Sequence, residues 1–303
     1  MLRKSLDNSS PNSRVQHLIL PLAATLSLTW MAGMIPLEDL FNDVVGKAQR
    51  GQGLTNEALA EKASVTVAQI EAVKDGARDV ATLLKVAPVL SLHGPSLVTM
   101  AEGTWFPKPV ALAGLAQINT TYHDMTVNAY LVWDPATREA AAFDTGATAA
   151  PMLAKMSELG LTLKFLFLTH THPDHVADID QLAAPAVLIS AREPHPAAQV
   201  FTPGTSWQLG SLNIESRSTW GHSKGGTTYV VRGLAHPIAI VGDALFASSM
   251  GGGAVSFAEA LSTNRKEIFT LPDDTVIAPG HGPLTTLAEE KAHNPFYPEF
   301  KYL

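Results

Sequence analysis

One heptapeptide restricts this chain more than any other feature: Thr169-His170-Thr171-His172-Pro173-Asp174-His175, which follows directly on the apolar run LKFLFL. Three imidazoles and a carboxylate crowded into six residues call for either solvent or a cation, and here a buried strand delivers them. In an extended segment His170 and His172 point to the same side, so both can bind one metal. Pro173 forces a turn, which lets Asp174 and His175 face a second metal nearby. A solvated histidine-rich loop would need no buried strand behind it, and would not explain why more ligand types recur later at strand ends.

Three such recurrences follow. Gly221-His222-Ser223 comes 47 residues after His175, at the end of a strand. Gly242-Asp243-Ala244-Leu245-Phe246 ends the apolar strand IAIV, and Gly280-His281-Gly282 ends TVIA. Each sets a ligand beside glycine, where backbone can crowd close to a metal. A lone buried histidine is more often a hydrogen-bonded core residue; four pieces in this order are not lone. The chain has no cysteine, so thiolate ligands, disulfides and a cysteine nucleophile are excluded. Imidazole and carboxylate donors point to zinc, with iron or manganese as alternatives. No G-x-S-x-G is present to supply a serine nucleophile.

The ordered set HTHPDH, GHS, GDALF and PGHG resembles the metallo-β-lactamase superfamily, in particular its glyoxalase II-like hydrolases, over roughly residues 110–297. The resemblance implies an α/β fold, an αββα sandwich with a metal groove at one edge of the sheets. It implies two divalent metal ions: His170, His172 and His222 on the first, Asp174, His175 and His281 on the second, and Asp243 bridging. Asp144 in FDTG matches the motif whose carboxylate supports the histidine loop without being a ligand.

Two cations sharing a water would give hydroxide near neutral pH, which attacks a carbonyl carbon. Asp174 and Asp243 are the candidate catalytic residues, Asp174 by hydrogen-bonding the nucleophile or holding its metal. Thiolate leaves without a protonated acid, so the expected small-molecule substrate is a thioester or related ester. Persulfide dioxygenases share the fold and use one iron, for which His170, His222 and Asp243 would serve here. A regulator whose metal domain senses a ligand is a third alternative. The segment after GDALF, ASSMGGGAVSF, carries no basic residue, leaving Lys291 and Lys301 as candidate cations near the groove.

The rest divides into an apolar N-terminal extension over 1–36, a helical domain over 37–103 and the hydrolase domain over 104–303. From Val15 to Leu37 no Asp, Glu, Lys or Arg occurs, after a start carrying Arg3, Lys4 and Arg14. That run is read as a dispensable extension, as an export signal or membrane anchor, or as a packed helix. The cytoplasm is the expected location, with export or membrane association through 15–37 as the alternative. In 37–103, LEDLFNDVVGKAQ shows helical spacing at Leu37, Leu40, Phe41, Val44 and Val45. Thr55 and Thr66 are N-caps for NEALAEKA and VAQIEAVKD, and VATLLKVAPVLSL forms a further helix. The series resembles the repressor-type helix-turn-helix family. Five basic against eight acidic residues between Leu37 and Asp79 argue against DNA binding, in keeping with the net charge of −7. Leu83, Leu84, Val86, Val89 and Leu90 are better used against the enzyme or a second subunit, so a homo-oligomer through this domain is the partner it suggests.

Overall fold

The computed structural model describes residues 34–301. The apolar run from Val15 therefore lies almost wholly outside the described residues. Among those described, no helix is long and apolar enough to cross a membrane. The chain from Ile35 onward forms one compact unit.

Two six-stranded mixed sheets face each other. The first runs β1 (Leu115–Tyr122), β2 (Met125–Trp133), β3 (Glu139–Phe143), β4 (Thr162–Phe167), β5 (Ala186–Ser190), β6 (Gln199–Phe201). The second has the order β12 (Thr285–Thr286), β11 (Val276–Pro279), β10 (Ile238–Gly242), β9 (Thr227–Arg232), β8 (Leu212–Ser218), β7 (Ser206–Leu209). Between them lies a core of Tyr130, Phe143, Phe167, Ile214, Tyr229 and Ile240 with their neighbours. Phe143 and Phe167 stack with ring centroids 5.2 Å apart. β9 and β10 are buried nearly throughout because the sheet faces here are covered on both sides.

Helices cover both outer faces, giving the expected αββα sandwich. Outside the first sheet, Met152 and Ala149 pack on Leu131, Leu166 and Ile189. They belong to the helix Ala150–Leu159 and its N-cap, and Gly160 closes that helix at φ 60°. Outside the second sheet lie five helices that precede the strands: α1 (Phe41–Gly51), α2 (Asn56–Ala63), α3 (Val67–Lys74), α4 (Val80–Val89) and α5 (Gly94–Glu102). Their buried residues, among them Phe41, Val45, Leu59, Leu83 and Leu97, share one cluster with Val241, Leu245, Ile277 and Tyr297 of the sandwich. In the chain's numbering the helix Ala150–Leu159 is α6.

Thr55 and Thr66 cap α2 and α3, accepting from the amides of Ala58 and Gln69. The expected first helix starts later than its spacing suggested: Leu40 is the N-cap of α1 and 64 % exposed. Residues 36–39 are instead drawn across the sandwich by polar contacts described below. Of the apolar positions on α4, Leu83, Val86 and Leu90 are buried in the shared core, while Leu84 is 47 % exposed. α5, β6, β7 and β12 had no counterpart in the sequence reading. α5 hides behind Gly94-Pro95, a pair that reads as a turn but here supplies the first helical positions, with His93 accepting from the Ser96 amide.

Candidate metal centre

The expected ligands all sit just past strand ends at one edge of the sandwich. β4 runs into Thr169–His172 and then into the one-turn helix α7 (Pro173–Val176), which carries Asp174 and His175. β8 leads to His222, β10 to Asp243 and β11 to His281. β10 and β11 are parallel neighbours with a shift in register between Ile240 and Gly242, so Asp243 and His281 emerge side by side.

The seven residues converge as two adjoining groups. In one, His170, His172, His222 and Asp243 each offer a donor atom within 4.8 Å of the others; in the second, Asp174, His175 and His281 do the same. His172 Nδ1 lies 3.0 Å from both His170 Nε2 and His222 Nε2. Asp243 stands between the groups: its Oδ2 is 3.3 Å from His222 Nε2 and 3.4 Å from His281 Nε2, and its Oδ1 is 3.3 Å from His175 Nε2. Asp174 Oδ2 is 3.4 Å from His175 Nε2 and from His281 Nε2.

In four of the five histidines the ring nitrogen that turns away from the centre is engaged. His175 Nδ1 meets Asp144 Oδ2 at 2.9 Å, His222 Nδ1 meets the Gly252 carbonyl at 2.9 Å, and His281 Nδ1 meets the Thr126 carbonyl at 2.7 Å. An N–H donated outward fixes the tautomer and leaves the Nε2 lone pair pointing inward. His170 Nδ1 is 2.9 Å from the Thr169 hydroxyl, which donates in turn to Asp144. Inside, His175 Nε2 and Asp243 Oδ1 are buried without any hydrogen-bond partner. Buried polar atoms left this way are costly, and facing lone pairs 3.0 Å apart repel unless a cation lies between. The donor set thus fits divalent metal.

Without metal, protons must do the cation's work. Burial pushes the His175 and His281 imidazoles down, but the carboxylates around them together outweigh it, Asp243 with Asp144 at His175 and Asp243 with Asp174 at His281, and lift them to about 10 and about 11. Burial also works against the charged Asp243, yet His175 and His281 hold its carboxyl well below the usual range. Metal uptake therefore has to displace protons.

Asp144 is where the FDTG motif placed it. Its φ is 56°, and its carboxylate accepts from the Thr169 amide and hydroxyl, both at 2.7 Å, besides His175. Glycine matters most at Gly280, where a Cβ would meet Asp243 Oδ1 and His175 Cε1, and at Gly251, where it would meet the Asp243 carbonyl. Glu193, not singled out in the sequence, ties the ligand loops together by accepting from the Thr171 amide and hydroxyl and from the Gly225 amide.

The helical segment also reaches the site. Asp39, 6 % exposed, binds the Lys47 ammonium and the Ser249 hydroxyl, and Lys47 donates to the Met250 carbonyl at 2.9 Å. Both grip the loop that follows Asp243. Glu38 Oε2 is 4.0 Å from His281 Nδ1; burial raises its carboxyl to about 7 while the His281 charge opposes the rise. Charge patterns within 37–103 gave no sign of these contacts, which join residues more than 200 apart. Lys291 and Lys301, expected near the groove, line a separate cavity with Asp273 and Phe300, and Lys291 pairs with Asp273.

His172 and His222 are half-buried and open on a cavity of about 520 Å³ bordered by Arg192, Lys224, Pro194 and Val255. The other five ligand candidates are buried.

Comparison with known proteins agrees with this geometry. The sequence model of the metallo-β-lactamase superfamily matches residues 124–217. The chain is 30 % identical to the hydroxyacylglutathione hydrolase GloC of Haemophilus influenzae, over 56 % of this chain and 92 % of that protein. It is 32 % identical to the mitochondrial persulfide dioxygenase ETHE1 of Homo sapiens, over 55 % of this chain and 69 % of that one. Among solved structures, the BLEG-1 B3 metallo-β-lactamase superposes with a TM-score of 0.52 at 28 % identity, covering 60 % of this chain and 98 % of that one. Fold, ordered ligand set and these likenesses agree: the chain belongs to the metallo-β-lactamase superfamily.

Proposed function

We propose that this protein hydrolyses a small thioester or ester with two divalent metal ions, zinc in the first place. His170, His172 and His222 would hold one, Asp174, His175 and His281 the other, with Asp243 shared. The observation that carries the reading is the inward convergence of seven donors, four of whose five histidines are fixed through the outward nitrogen, with His175 Nε2 and Asp243 Oδ1 buried and unpartnered. The likeness to a hydroxyacylglutathione hydrolase over 92 % of its length supports the substrate class.

When bound, the metals supply Lewis acidity, lowering the pKa of water and stabilising negative charge on a carbonyl oxygen. The chain's own residues do the rest. The half-exposed side at His172 and His222 admits the substrate, while the buried side excludes bulk water. Asp174 accepts a hydrogen bond from the attacking water and aims its lone pair at the carbonyl carbon. A thiolate departs without a proton, so no further acid is required. The helical segment completes the enzyme wall, and its acidic balance from Leu37 to Asp79 would repel the phosphates of DNA.

Purified protein should contain about two zinc per chain and hydrolyse a hydroxyacylglutathione or a simple thioester. A second reading, a persulfide dioxygenase with one iron on His170, His222 and Asp243, is favoured by the 32 % identity to ETHE1. Iron near one per chain, with oxygen uptake on a persulfide and no thioester turnover, would replace the hydrolase reading with that one.

A further inference from the structure

We propose that the cavity between α1 and the Gly251–Ala254 loop is a carboxylate subsite, and that Arg50 selects substrates carrying an anionic group beyond the scissile bond. The inference rests on the hydrolase reading and specifies its substrate class.

The cavity holds about 310 Å³ and is lined by Lys47, Arg50, Gly51, Gly252, Gly253 and Ala254. Two cations and no acid border it, in a chain whose net charge is −7. Lys47 is already committed to Asp39 and to the Met250 carbonyl. Arg50 has no carboxylate partner among the described residues, so its guanidinium is the free one. The amides of Gly252 and Gly253 likewise have no acceptor among the described residues. A planar guanidinium beside open amides suits a carboxylate, which can accept from both.

The walls are held in place. Phe257 lies where a Cβ on Gly51 or on Gly253 would have to sit, so both backbones press against one ring and its Cα. At Gly252, by contrast, a Cβ would meet nothing within 4 Å. The loop is therefore fixed at its flank and open at its centre. Its Gly252 carbonyl accepts from His222 Nδ1, which ties the subsite to a candidate metal ligand. Ala254 also borders the larger cavity that opens on His172 and His222, so the two cavities adjoin there. A substrate whose carbonyl lies at the metal centre can lay its far end past Ala254 onto Arg50. That larger cavity adds Arg192 and Lys224, and its single acid, Glu193, is occupied by Thr171 and Gly225. The lining of the two cavities thus carries four cations against one carboxylate.

The test uses the full-length, metal-loaded enzyme and S-acetyl thioesters of ω-mercaptoalkanoic acids with two to six carbons, each beside its methyl ester. At the chain length that spans the gap, the acid should exceed its ester in kcat/KM by about tenfold, mostly through KM. Arg50→Ala should cut that acid-to-ester ratio at least fivefold and Arg50→Lys should restore part of it. Lys266→Ala, which removes a remote surface cation, should leave the ratio as it was. Equal acid and ester rates at every length, or an unchanged ratio in Arg50→Ala, would overturn the subsite. Calorimetric titration with glutarate separates this from the hydrolase reading. Glutarate binding that Arg50→Ala abolishes upholds the subsite even if no thioester is turned over, whereas binding indifferent to Arg50, or absent from the wild type, sinks it.

Discussion

Asp144 touches no metal position, yet three groups depend on it: the Thr169 amide, the Thr169 hydroxyl and His175 Nδ1. Asp144→Asn would exchange one acceptor oxygen for a donor and set an N–H against one of them. Metal affinity should fall about 10- to 100-fold with the fold intact, measurable by equilibrium dialysis against a chelator series. Gly280→Ala probes the opposite side, since its methyl group would meet Asp243 Oδ1 and the His175 ring. Metal content and turnover should drop together while circular dichroism stays native; full metal occupancy in Gly280→Ala would show that Asp243 is not confined as described. Every residue in these two tests stood in a short motif, because a metal ligand must be one of few residue types at a strand end and so leaves a sharp trace. Glu193, Asp39 and Lys47 left none. A hydrogen-bonding carboxylate or a paired lysine looks, in one dimension, like any solvated charge.

At the scale of elements, the loop after Asp243 is gripped from several sides. Asp39 and Lys47 hold Ser249 and Met250, Glu290 accepts from the Ser248 amide, and Asn294 donates to the Ser249 carbonyl. Ser248 sits at φ 56°, a conformation that needs such outside support. Lys47→Ala leaves Asp39 buried without its cation and should cost about 3 kcal/mol in denaturant unfolding. Adding Asp39→Asn should recover part of that loss; no recovery would mean that Lys47 acts through packing on Phe246, whose ring it overlies at 5.1 Å. The strands that end in ligand motifs, β4, β10 and β11, and the helices capped by Thr55 and Thr66 were legible beforehand. β6, β7 and β12 were not, being two to four residues long, too short to show an alternation. The helix Leu287–His293 shows the same limit in its cap. Thr286 accepts from the Glu289 amide as the Thr286–Glu289 spacing suggests, but the Glu289 carboxylate turns to the Lys108 amide, a partner 181 residues away.

For the molecule as a whole, Glu290 sets a pH dependence. It is fully buried, and burial lifts its carboxyl to about 7, against its bonds from Asn294, Thr285 and Ser248. A carboxyl raised on folding stabilises the protein below its unfolded value near 4.5, and that contribution is lost as pH rises through about 7. Metal-free protein should lose about 3 kcal/mol over this window relative to Glu290→Gln, read from urea unfolding at a series of pH values. Parallel pH profiles for the two proteins would place the ionisation elsewhere. Removing residues 34–103 should leave insoluble protein, because Val241, Leu245, Ile277 and Tyr297 share their core with α1–α5.

Asp39 meets Ser249 across 210 positions and Lys47 meets Met250 across 203. During synthesis the leading helices emerge long before the loop they grip, and His281 later still. Such distant partners must wait through most of translation, and long-range closure is the slow part of folding. The helical layer then docks as a late step, and until it does, the loop behind Asp243 lacks the grip of Asp39 and Lys47. Refolding followed by metal uptake should accordingly lag refolding followed by far-ultraviolet circular dichroism, and nascent chains released before Ser249 should hold no metal.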